Sequence, residues 1–120
     1  MSQRDPFVRM RHMLDHANEA VDLLGNVTEQ ELRKDRTIQL ALTRLVEILG
    51  EAASKVPQGT RDQYLQLPWH QAISMRNILI HGYDVLEYAI IWDTVRNNLP
   101  PLIDELSRIL NKIDRPRSIP

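Results

Sequence analysis

The chain has 120 residues, 42% apolar and 26% charged, and a formal net charge of −1 from 15 Lys and Arg against 16 Asp and Glu. These values fit one globular domain, exclude a disordered tail, and leave no bulk positive charge to attract nucleic acid. The absence of cysteine excludes disulfides, thiol chemistry and cysteine-rich zinc sites.

No uncharged stretch is long enough to span a membrane, and residues 1–13 lack the apolar core of a secretory signal, so a cytoplasmic location is expected. The four glycines form neither G-x-x-x-x-G-K-[ST] nor G-x-G-x-x-G, which argues against ATP binding by those loops.

Helical periodicity runs through the whole chain. A first helix is expected from about Asp5 to Leu24, with Met10, Met13, Leu14, Ala17, Val21 and Leu24 on one buried stripe and Gly25-Asn26 as its stop. Thr28 and Glu31 have the spacing of a capping box, opening a short helix that carries Leu32. Asp35 can cap a long helix from Arg36 to Lys55, whose stripe includes Ile38, Leu42, Leu45, Leu49, Ala52 and Val56. Gly50 lies inside that helix at a cost of about 1 kcal/mol relative to Ala, which close approach of a neighbouring helix would offset.

Pro57-Gln58-Gly59 should break the chain before a short amphipathic piece from Arg61 to Leu67. A further helix is expected from Trp69 to His81, with Ala72, Met75 and Leu79 along one side and Gly82 as its stop. The last helical region should run from Glu87 to Ile113. Its stripe of Ile91, Val95, Leu99, Leu102, Leu106 and Ile109 continues across Pro100-Pro101, which implies a kink or two nearly coaxial helices with Asn98 as the second one's cap. Strand signals are nearly absent. The expected fold is all-α, an antiparallel helical bundle, with residues 1–113 in a single domain and 114–120 as a loose tail.

The segment Met75-Arg-Asn-Ile-Leu-Ile-His-Gly-Tyr83 carries the chemistry. Arg76 supplies a permanently charged fork suited to phosphate oxygens, and His81 can exchange protons near neutral pH. Together they form a minimal kit for cleaving an RNA phosphodiester, and no metal or other cofactor is required. On an α-helix, however, Arg76 and His81 lie about 140° and about 7.5 Å apart, a poor pair within one chain. Two copies across a two-fold axis would supply two arginines and two histidines to one cleft, so the chemistry favours a homodimer. A basic groove centred on Arg76 is then expected. The competing reading is ordinary helix-end design, in which both cations complement the helix dipole for about 0.3–1 kcal/mol each.

Other candidates are bland. Glu47 and Glu51, and His12 and His16, have the i,i+4 spacing of metal ligands but lack an obvious further ligand. Trp69 and Trp92 read as core or interface aromatics. Arg4, Arg9 and Arg11 could contact RNA or form a solvated basic end.

Taken together, several blocks resemble the HepT-like proteins of the HEPN superfamily, the toxin halves of HepT/MntA toxin–antitoxin pairs. They are Asp35-Arg36 with Gln39, Glu47-Ile-Leu-Gly-Glu-Ala-Ala53, Pro68-Trp69, the Met75–Tyr83 segment, Ile91-Trp-Asp-Thr-Val95 and Asn98-Leu-Pro100. The resemblance implies an all-α homodimer acting as a metal-independent endoribonuclease through an R-x4-6-H motif. Here that motif falls on Arg76 and His81, with Asn77 as the supporting polar residue. The longer R-x4-H-x-Y form adds Tyr83, which in such systems accepts AMP from an MntA-type nucleotidyltransferase and so silences the toxin. The implied partners are an RNA substrate, that nucleotidyltransferase and a second copy of the chain, with room for a larger toxin–antitoxin assembly. Two alternatives stay open: a non-catalytic helical partner of a nucleotidyltransferase that presents Tyr83 to it, and a plain structural dimer.

Overall fold

The computed structural model describes residues 5–77 and 88–114, which are helical apart from short connections and contain no strand. The expected all-α fold is therefore observed. The helices are α1 (Phe7–Leu24), α2 (Glu29–Arg33), α3 (Arg36–Ser54), α4 (Gln58–Gln63), α5 (Trp69–Ser74), α6 (Tyr88–Asp93) and α7 (Leu99–Asp114).

Each boundary has a local cause. Asp5 accepts a hydrogen bond from the Phe7 N–H (2.8 Å) at the start of α1. At its end, Gly25 takes φ 49°, in the left-handed region, and its N–H closes on the Val21 carbonyl (3.0 Å). The capping box forms as expected: Glu31 N–H donates to Thr28 Oγ1 (3.1 Å), and Thr28 N–H donates to Glu31 Oε1 (3.0 Å). Asp35 Oδ1 accepts from the Ile38 N–H and caps α3.

Two polar side chains close helix ends from a distance. The buried Gln39 carboxamide donates to the Leu32 and Arg33 carbonyls at the end of α2. Arg61 donates to the Ser54 and Val56 carbonyls at the end of α3. Terminal carbonyls of both helices are thus paired within the protein.

α1 packs along α3 and α7 and runs antiparallel to both. Arg11, on the first turns of α1, pairs with Asp114 at the last residue of α7 and with Asp5 (3.2 Å). The core between these helices holds Met10, Met13, Leu42, Leu49, Leu99 and Leu106, all fully buried. The predicted stripes of α1, α3 and α7 supply most of it.

Three extents differ from the sequence reading. α4 begins at Gln58, directly after Pro57, because the Pro57 carbonyl accepts from Arg61 N–H (3.0 Å) and lets the helix start three residues early. α5 ends at Ser74, and Met75–Asn77 tighten into a 3-10 turn instead of continuing as α-helix. Across Pro100-Pro101 the helical path continues without a loop, as expected, but the junction is not a simple cap at Asn98. Thr94–Asn98 widen into a π turn in which Leu99 N–H reaches the Thr94 carbonyl, and α7 then opens with both prolines in its first turn. Leu99 supplies the last backbone donor before two residues that have none, so the wide turn falls where the α-helical ladder must be interrupted. Residues 115–120 and the end of the predicted helix at His81-Gly82 lie outside the described residues.

Candidate active site

Arg76 and Asn77 are both exposed and sit in the 3-10 turn that follows α5. The two residues that hold this turn down are Ala72 and Met75, buried on the inner side. Trp69 anchors the start of α5: it is buried, and its indole N–H donates to the Tyr64 carbonyl (2.9 Å). The burial of one side leaves Arg76 projecting on the other.

The turn rests on α3 at Gly50. A β-carbon built on Gly50 would lie 2.4 Å from the Arg76 nitrogen and 3.0 Å from both its Cα and its Cβ. The glycine inside α3 is therefore explained by close approach, as its helix-breaking cost implies, and the approaching segment is the backbone of the candidate catalytic arginine itself. Sequence pattern alone points to a close neighbour of Gly50 but not to which residue it is.

Among the described residues no carboxylate lies within ion-pairing distance of Arg76. The planar fork of an arginine guanidinium suits an anion such as a phosphate. Asn77 adds a neutral amide beside it. His81 and Tyr83 lie outside the described residues. The α-helical separation of Arg76 from His81 also loses its basis, because Arg76 occupies a 3-10 turn with a different rise and rotation.

The remaining candidates separate clearly. Glu47 pairs with Arg44 on the surface of α3. His16 Nδ1 is 2.7 Å from the His12 carbonyl, a local contact along α1. Among the described residues no group of three or more His, Asp or Glu could hold a metal ion. Trp92 is half-buried and donates to the Val27 carbonyl (2.9 Å), the same carbonyl that accepts from Arg96 (3.1 Å), while the Arg96 guanidinium lies 5.2 Å from the Trp92 ring. These contacts tie the π turn to the α1–α2 connection and are structural.

A second feature lies apart from Arg76. A cleft with clustered basic side chains is lined by Arg9, His12 and Lys55, and Arg76 is not on its wall. Arg9 and His12 are legible in the sequence as neighbours three apart on one helix face. Lys55 is not, because only the antiparallel packing of α1 and α3 brings it opposite them.

Comparison with known proteins decides the family. The family model described as "Ribonuclease HepT-like" matches residues 13–109. The chain belongs to the HepT-like ribonuclease family. It is 32% identical over 95% of its length to "Putative RNase MJ0127" of Methanocaldococcus jannaschii, covering 94% of that protein. It is 29% identical over 91% of its length to "Putative RNase TTE0752" of Caldanaerobacter subterraneus, covering 97% of that protein. To "Probable ribonuclease HepT" of Thermococcus cleftensis it is 28% identical over 80% of its length, covering 91% of that protein. No solved structure gives a significant match. The HepT-like region runs from Met13, within α1, through most of α7 and includes Gly50, Arg76, His81 and Tyr83.

Proposed function

We propose that this HepT-like protein is a metal-independent endoribonuclease, the toxin of a type VII HepT/MntA toxin–antitoxin system. The observation that carries the reading is Arg76, an exposed arginine without a carboxylate partner among the described residues, inside the span that the ribonuclease family model matches.

In this mechanism His81 removes the proton of an RNA 2′-hydroxyl. The 2′-oxygen bonds to phosphorus as the bond to the 5′-oxygen breaks, and that oxygen leaves with a proton. Arg76 holds the phosphate and stabilises the charge that builds on its oxygens, with Asn77 in support. One chain supplies one motif histidine, His81, so a homodimer supplies both the base and the acid. Tyr83, two residues beyond His81, is the acceptor for AMP: its oxygen bonds to the α-phosphorus of ATP and pyrophosphate leaves. The transfer, catalysed by an MntA-type nucleotidyltransferase, places negative charge where RNA must approach.

The test is cleavage of labelled total RNA in EDTA by unmodified protein and by His81→Ala of the same oligomeric state. Cleavage by the first alone supports the reading. Cleavage by neither, with Tyr83 still accepting AMP from the nucleotidyltransferase, would replace it with that of a non-catalytic partner subunit.

A further inference from the structure

A cleft of about 770 Å³ opens where the first turns of α1 meet the end of α3. Its walls are Asp5, Val8, Arg9, His12, Lys55 and Pro57. A chain of net charge −1 thus gathers two permanent cations and an imidazole around one concavity. The structural work at this end of the bundle is done by other residues. Arg11 makes the ionic clasp to Asp5 and Asp114. Arg61 satisfies the carbonyls at the end of α3, the usual duty of a lysine such as Lys55. Asp5, the one acid on the wall among the described residues, is engaged by the Phe7 N–H and by Arg11. Among the described residues the side chains of Arg9 and Lys55 make no ion pair.

We propose that this cleft binds the phosphodiester backbone of a single RNA strand. The inference rests on the ribonuclease reading for its choice of ligand. Arg9 and Lys55 neutralise phosphates, His12 donates a hydrogen bond, and Val8 and Pro57 offer an apolar wall to the ribose and base. A basic cleft of this kind gives a chain with no net positive charge a local means of holding RNA.

The test is binding of a fluorescent 2′-O-methylated RNA oligonucleotide, which keeps its phosphates but cannot be cleaved through its 2′-oxygens. Anisotropy across a salt series would compare the wild type, Arg9→Gln/Lys55→Gln, and the charge-matched Arg44→Gln/Arg108→Gln. The cleft variant should bind about tenfold more weakly, and two lost single-strand phosphate contacts should reduce its salt slope by about 1.4. The charge-matched variant should bind like the wild type, and so should the charge-retaining Arg9→Lys/Lys55→Arg. Equal losses in both neutralised variants would reduce the effect to bulk charge and overturn the proposal. No loss in the cleft variant, no binding by the wild type, or a changed sedimentation mass of the cleft variant would also overturn it. Normal binding by a wild type that cleaves no unmodified RNA would defeat the ribonuclease reading and leave the cleft's role standing.

Discussion

Gly50 in α3 and the backbone nitrogen of Arg76 are in contact so close that no side chain fits between them: a β-carbon on Gly50 would stand 2.4 Å from that nitrogen. The nearest atoms at the contact, the Arg76 nitrogen and Cα, are backbone, so neither can swing aside. Gly50→Ala must push the 3-10 turn off α3, at the roughly 1–3 kcal/mol typical of overpacking. Gly59→Ala is the control, since a β-carbon there meets nothing within 4 Å. Urea unfolding should show a loss for the first variant and little change for the second. RNA cleavage, measured where both variants remain folded, should fall only for Gly50→Ala.

Arg76→Ala should leave the unfolding midpoint almost unchanged, because the side chain is exposed. Cleavage should fall about 10²–10³-fold, the usual effect of removing a group that stabilises transition-state charge. Arg76→Lys should recover only part of the loss, since an ammonium cannot grip two phosphate oxygens in a fork. Equal activity of Lys and Arg at this position would show that only charge matters there.

The Gln39 carboxamide spans the α2–α3 connection, donating to Leu32 and Arg33 carbonyls at 2.7 and 3.0 Å. Gln39→Leu removes the donor to the Arg33 carbonyl, while the Leu32 carbonyl keeps the Asp35 N–H (3.1 Å), and should cost about 0.5–1.5 kcal/mol. Hydrogen exchange should report the loss first at Leu32 and its neighbours, ahead of the α1–α3 core.

Two surface carboxylates make stability depend on acid. The Glu31 carboxyl is held below its ordinary range by the Thr28 backbone N–H and then by the Thr28 hydroxyl. Asp5 is held below its range chiefly by the Phe7 N–H, with Arg11 adding to the effect. A folded-state pKa below the unfolded value means that the contribution is complete above the unfolded value. It is lost as pH falls through the folded one. Acid titration should therefore erode stability on the carboxylate limb, and Thr28→Ala should flatten part of it. At neutral pH the same substitution should cost about 1 kcal/mol through the lost cap.

Much of this arrangement is legible in the order of the residues. The stripes of α1, α3 and α7 are the core because their apolar residues recur at three- and four-residue steps, and burial follows that period. Thr28, Glu31 and Asp35 cap because their signals are local. The shortening of α5 is not legible, since Arg76 and Asn77 are as compatible with an α-helix as with a 3-10 turn. The decision belongs to the backbone of α3 at Gly50. The cleft of Arg9, His12 and Lys55 joins residues far apart in the chain, and no local pattern encodes such a meeting. At Arg11 the sequence offers a cation for RNA, whereas packing commits it to Asp5 and Asp114.

The wide turn at Thr94–Asn98 gives α6 and α7 an unusual freedom of length. In an uninterrupted α-helix, deleting one residue rotates everything beyond it by about 100° and turns an apolar face into solvent. A turn closed by an i→i−5 bond already holds one residue more than an α-turn needs. Removing the exposed Asn97 would let the turn contract to α-helical pitch, with Ile91 and Val95 still facing inward alongside Leu102 and Leu106. The π turn is thus the place in this bundle where a one-residue deletion can be absorbed without losing the phase of the core.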